Sequence, residues 1–274
     1  MDPLFLGGLL IALLGIVVST LIDGNSLAPL LAPSSFLLVS VATIGAGVMA
    51  YKLPELKVMP GSAMKALRSD APDLQETISV LGRLADTARR EGMLALESRV
   101  EEIDDRFLAA GVQLLVDGAD EDVVQESMEI EIAATDERHR NAIGFFKSLG
   151  GYAPTFGMVG TVIGLINMLG NLEDPSQLGR GMALALMTTF YGVLIANLVF
   201  NPLATRLERL NETELAVLDV TLDGLLTIRR GASPRGVIER LESYLPPSQR
   251  MGVGDRLAPP ETGAPQASSA GEAA

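Results

Sequence analysis

The sequence predicts an all-α integral membrane protein with four transmembrane helices and a helical cytoplasmic domain. Three observations carry this reading. Four long stretches lack any Asp, Glu, Lys or Arg, the segments between them repeat apolar residues at helical spacing, and no stretch alternates as a half-buried strand would. Composition agrees: 48% of the 274 residues are hydrophobic, only 4% aromatic and 20% charged, and the mean hydropathy is +0.31. The absence of Cys excludes a disulfide scaffold, a thiolate metal site and a Cys nucleophile, and a lone His139 excludes a multi-His centre. A net charge of −13 argues against a nucleic-acid partner, because neutralising phosphates takes clustered Lys and Arg.

The first domain, residues 1–52, is a transmembrane hairpin with spans at 4–22 and 35–51, each close to the ~20 residues that cross the hydrocarbon. No basic residue precedes the first span and no small-x-small cleavage site follows closely, so it reads as retained rather than as a signal peptide. Residues 53–148 form a cytoplasmic helical domain that carries 20 acidic against 11 basic residues. Within it, Leu81, Leu84, Ala88, Leu96, Val100, Ile103 and Phe107 trace one amphipathic helical face. A second, acidic helix is expected over residues 121–134, and a third from Glu137 into the next span. The second hairpin, residues 149–204, has spans at 149–169 and 182–200. C-terminal cytoplasmic helices occupy 205–245: a stripe of Leu207, Leu210, Leu215, Leu218, Leu222, Leu225 and Ile228 ends at Gly231, and Ser233-Pro234 opens a short helix. From residue 246 to 274 the chain is rich in Pro, Gly, Ser and Ala, the composition of a disordered tail. Lys and Arg cluster at one set of span ends, whereas the two short connections on the other side carry only Arg180. The basic side should face the cytoplasm, which places both termini there.

No span contains Asp, Glu, Lys, Arg or His. A cation at membrane depth needs an anionic or protonatable group, so if this chain moves ions a partner supplies the carboxylate. The third span is unusual in its small and polar residues, Gly-Gly-Tyr-Ala-Pro-Thr-Phe-Gly-Met-Val-Gly-Thr-Val-Ile-Gly. Pro154, Gly157, Thr161 and Gly164 share a helical face, and Pro154 has no N–H to give the carbonyl of Gly150. In the fourth span Gly181, Ala185, Thr188, Gly192 and Ala196 make a matching stripe with Thr189 beside it, and Pro202 frees the carbonyl of Leu198. Such stripes let helices pack closely. Three Thr hydroxyls beside a freed carbonyl also form a hard-oxygen cluster of the kind that suits Na⁺, and one seam can do both.

On the cytoplasmic helix, Arg90 and Glu97 are expected two turns apart on nearly one outward line, with Arg89 to one side. They read either as a solvated face held by weak pairs or as a docking surface for a charged partner.

These features together closely resemble the MotA/PomA subunits of the bacterial flagellar stator, relatives of TolQ and ExbB. The resemblance spans residues 1–230 and rests on the third-span motif and on Met-Ala-Leu-Ala-Leu-Met-Thr-Thr-Phe-Tyr-Gly running to Asn-Pro-Leu-Ala in the fourth. It implies a non-enzymatic function: a homopentamer around a MotB/PomB-type B subunit whose membrane Asp carries the ion, engaging the rotor protein FliG in the inner membrane of the cell. No cofactor is implied beyond the transported Na⁺ or H⁺. By the same resemblance, Pro154 and Pro202 take the places of the family's functional prolines, and Arg89 and Glu97 those of its rotor-facing charges, with Arg90 the adjacent basic residue. Thr161, Thr188 and Thr189 match positions that are Thr in the sodium-driven type, which favours a transient Na⁺ held by these hydroxyls. A TolQ/ExbB-type subunit energising an outer-membrane process is the alternative, ranked lower because the first two spans form an additional complete hairpin. A non-conducting scaffold, with seams that only pack, is the reading from a different class.

Overall fold

The computed structural model describes residues 3–24, 26–67 and 73–250, and among these the regular elements are all helical. The chain forms two compact units, one from Met1–Pro72 with Ala133–Leu215 and the other from Asp73–Ile132 with Ala216–Ala274. These units cut across linear boundaries at 52, 148 and 204, because two long helices contribute to both.

The first unit contains the spans. Helix α1 (Pro3–Ile22) and helix α2 (Pro33–Val48) form the first hairpin, the latter ending a turn before the expected residue 51. Pro33 opens α2 at a position where a missing N–H costs nothing. The loop before it is tied to the second hairpin by Tyr191, whose hydroxyl donates to the Leu30 carbonyl at 2.6 Å and accepts from the Ala32 N–H at 3.2 Å. Helix α3 (Leu53–Leu67) follows, and the Lys52 N–H bonds the Glu55 carboxylate at 2.8 Å. Met59 and Ala66 of α3 are buried against Ile143, Phe146, Leu149, Leu203 and Leu207. An edge-on Tyr51–Phe145 pair at 5.3 Å closes this cluster.

Two helices expected at 121–134 and from Glu137 are instead one, α7 (Glu121–Leu169), 49 residues and about 74 Å long. Neither Gly nor Pro interrupts residues 121–143, so nothing stops propagation of the helix. Helix α8 (Pro175–Ile195) begins under the Asp174 cap, whose carboxylate accepts from the Ser176 N–H at 2.9 Å. It passes through a π-turn at Ala196–Phe200 into α9 (Asn201–Arg229). The wider turn precedes Pro202, which cannot donate to the Leu198 carbonyl and would crowd it in a regular helix.

The second unit packs α4 (Leu74–Glu91), the short α5 (Glu97–Val100), α6 (Arg106–Val116), the start of α7, the end of α9 and α10 (Pro234–Leu241). Ile78, Leu81, Leu96, Val112, Leu115, Met128, Leu225, Ile238 and Leu241 are fully buried there. Asp73, Asp105 and Ser233 cap α4, α6 and α10 by accepting from the N–H groups of Gln75, Leu108 and Gly236.

The single helical face drawn from Leu81 to Phe107 is corrected here. Gly92, at φ +91°, ends α4, and a 3₁₀ turn at Met93–Leu96 intervenes before α5. That backbone conformation favours glycine. The apolar positions still point inward on both sides of the break, with Leu81, Leu84, Leu96 and Phe107 all buried. After α9, Gly231 at φ +76° and the Ser233 cap follow the sequence expectation. Of the expected disordered tail, residues 251–274 lie outside the described residues, and Pro247–Gln249 forms a 3₁₀ turn.

Candidate functional site

The α7 and α8 spans meet along an antiparallel seam of small residues. Three glycines show how close the approach is. A Cβ at Gly164 would sit 2.5 Å from the Gly181 carbonyl oxygen, one at Gly157 2.9 Å from that of Thr188, and one at Gly192 2.6 Å from that of Ala153. Only residues without a side chain permit backbones this near, which is the packing use of such stripes. Gly192 also faces Pro154, its Cβ position 3.2 Å from the proline Cα.

The three threonines differ in their surroundings. Thr188 is fully buried in the seam against Gly157 and Gly160, and its hydroxyl donates to the Leu184 and Ala185 carbonyls of its own helix, each at 3.0 Å. Thr189 donates to the Ala185 carbonyl at 3.3 Å, and Thr161 to the Met158 carbonyl at 2.6 Å. Both of these side chains are partly exposed. A hydroxyl that donates to its own helix keeps its oxygen lone pairs outward as acceptors, so Thr161 and Thr189 can present oxygen to a cation. Thr188 faces Gly160 rather than Thr161, and its oxygen is enclosed.

Two prolines mark the inner end of the seam. Pro154 lies inside α7 and leaves the Gly150 carbonyl without its helical donor. Gly150 faces the Asn201 side chain, beside Pro202 and the π-turn. The seam therefore ends in carbonyls that need polar company.

A polar chain joins α7 and α9 within the same unit. Asn211 donates through Nδ2 to Asp136 at 2.8 Å, and its Oδ1 lies 2.8 Å from His139 Nδ1. With the amide nitrogen committed to the carboxylate, Nδ1 is the donor of the second bond. The Asn211 hydrogen bond, joined by Arg140, holds the Asp136 carboxyl below its ordinary range. Lys65–Glu214 and Lys147–Glu208 pairs, both at 2.8 Å, flank this chain. No motif in the sequence links His139 to Asn211, which lie 72 residues apart along the chain. A polar Asn amid the stripe of Leu207, Leu210 and Leu215 is the signal the sequence offers, and in the structure it is 7% exposed.

Arg89, Arg90 and Glu97 are all exposed. They do not share a helix: Arg89 and Arg90 close α4, Glu97 opens α5, and the turn at Gly92 stands between them. Arg90 pairs with Asp86 on the surface, at 3.0 Å. Leu94, 72% exposed, sits in the same turn. Among the described residues no cluster of His, Cys, Asp and Glu could hold a metal ion.

Residues 99–219 match the MotA/TolQ/ExbB proton channel family. Over 237 residues the chain is 37% identical to the uncharacterized protein YtxD of Bacillus subtilis, covering 86% of each chain. It is 36% identical to the chemotaxis protein PomA of Vibrio alginolyticus over 85% of this chain and 92% of that one. Among solved structures it resembles MotAB of C. jejuni, with a TM-score of 0.87 at 28% identity over 92% of this chain and 99% of that one. It is also similar to the flagellar MotAB stator complex of Bacillus subtilis, with a TM-score of 0.82 at 31% identity over 89% and 97%.

Proposed function

This chain belongs to the MotA/TolQ/ExbB proton channel family, and on that footing we propose that it is the A subunit of a flagellar motor stator, an ion-driven torque generator and not an enzyme. The observation that carries the reading is the pairing of a likeness over 92% of the chain to a MotAB structure with spans that contain no carboxylate and no basic side chain. An uncharged bundle leaves the titrating carboxylate to a B subunit, and both similar structures are of MotAB assemblies. The chain works as a homo-oligomer, a pentamer around that B subunit, in the inner membrane with both termini in the cytoplasm.

In this reading Thr161, Thr189 and the carbonyls freed by Pro154 and Pro202 line the path of the ion as it reaches and leaves the B-subunit carboxylate. Thr188, buried behind them, sets the α7–α8 spacing by packing against Gly157 and Gly160, while its hydroxyl is spent on its own helix. Hydroxyls at Thr161 and Thr189 favour Na⁺, which must have its hydration shell replaced by several oxygens, whereas a proton needs only an acid and a water path. Arg89, Arg90 and Glu97, spread over the two sides of the Gly92 turn, form the docking surface for FliG. Charges on such a surface set orientation and register more than affinity.

The test is the motility of a stator-null strain carrying this chain and its B subunit. Swimming speed should rise with external sodium at fixed pH and stay flat as pH varies at fixed sodium. Speed that follows pH and ignores sodium would overturn the sodium assignment, and absence of motility with both subunits present in the membrane would overturn the stator itself.

A further inference from the structure

Helix α2 turns Ser35, Val39, Thr43 and Gly47 inward, one residue in every four. Ser35 is 1% exposed and Thr43 is wholly buried. The hydroxyls of Ser35, Ser40 and Thr43 have no hydrogen-bond partner among the described residues. Elsewhere in the bundle such groups satisfy themselves by donating to the carbonyl four residues back, as Thr20, Thr155 and Thr188 do. Ser35 and Thr43 lie on this inward stripe with Ser40 at its edge, and three buried hydroxyls that all forgo this bond would be costly if their surroundings were dry.

Packing shows what they face. Val39 belongs to one buried cluster with Ala153, Ile195 and Ala196, and a Cβ at Gly47 would lie 3.5 Å from Phe145, with the Leu149 side chain nearer still. Thr43, one turn from each on the stripe, is therefore set against the turn of α7 between Leu149 and Ala153.

We propose that Ser35, Ser40 and Thr43 bind internal water between α2 and the α7–α8 pair. Each molecule accepts from one of these hydroxyls. Buried water of this kind makes about three bonds to groups otherwise unsatisfied. The first hairpin then adheres to the second through exchangeable water, a joint independent of which ion the assembly carries.

Full-length chain co-purified with its B subunit in lipid nanodiscs provides the test. X-ray-generated hydroxyl radicals label buried side chains that touch bound water. Val39, fully buried, should be labelled several-fold faster than Ile78, equally buried in the second unit. Ser35→Ala and Thr43→Val should each reduce that labelling. Thr43→Val should also lower the melting temperature by about 2–4 °C, the shift expected for losing one bonded hydroxyl, with Thr43→Ser restoring it. If Val39 is labelled no faster than Ile78, or Thr43→Val raises the melting temperature, the hydroxyls are dry and the proposal is wrong. Should the Val variant fail to assemble, the wild-type labelling ratio decides alone.

Discussion

Pro154 illustrates how a single residue sets opposing demands. Its ring removes one helical hydrogen bond from the middle of α7 and crowds the Gly150 carbonyl. Pro154→Ala should restore that bond, stabilising the isolated helix pair by about 1–3 kcal/mol, while swimming speed falls because the freed carbonyl is gone. Thermal unfolding in detergent and tracked-cell speed check the two halves, and a variant that swims normally would remove Pro154 from the ion path. Thr189→Val should raise the sodium concentration for half-maximal speed without lowering the amount of assembled protein. The same change at Thr188 acts on packing, since that hydroxyl is spent on its own helix and enclosed by Gly157 and Gly160.

Among the elements, the turn between α4 and α5 separates two kinds of effect. Gly92 occupies a positive-φ conformation with open space where a Cβ would project, so Gly92→Ala costs backbone strain alone, about 1–2 kcal/mol, read by chemical denaturation of the full-length chain. Asp105→Ala removes the bond to the Leu108 N–H and should cost about 1 kcal/mol. Charge reversal at Arg89 or Glu97 touches neither fold nor seam, because both side chains are exposed and outside the membrane. It should abolish motility while sodium flux through an unplugged assembly is retained. Loss of flux together with motility would move these residues out of the docking surface.

At the scale of the whole molecule, pH reaches stability through the Asp136–Asn211–His139 chain linking α7 to α9. The Asp136 carboxyl titrates below its ordinary value because Asn211 and Arg140 bond its charged form. A group whose folded pKa is depressed contributes stability above its unfolded value, near 3.9, and loses that contribution as pH falls through the folded one. Wild type should therefore lose melting temperature between about pH 5 and pH 3 more steeply than Asp136→Asn does. Parallel curves would show that this bond network does not couple folding to protons.

Much of this architecture was legible as hydropathy. Bilayer thickness demands about twenty apolar residues in each span, and a span without charge cannot hide a titrating acid, so four helices and a missing carboxylate follow from composition. The seam on α7 and α8 was equally legible, since small residues at steps of three and four declare a shared face. Helix continuity was not. Periodicity ran unbroken across Gly92, where the chain breaks, and a charge-rich stretch near Asp136 looked like a gap where α7 runs through, because apolar spacing records which side is buried and not whether the backbone bonds persist. Nor could spacing reveal which threonine is enclosed, or that α2 buries three hydroxyls without partners. Those outcomes depend on which neighbours another helix brings within a few ångströms, and a hydrogen bond or a close backbone approach is decided over that distance and no longer one.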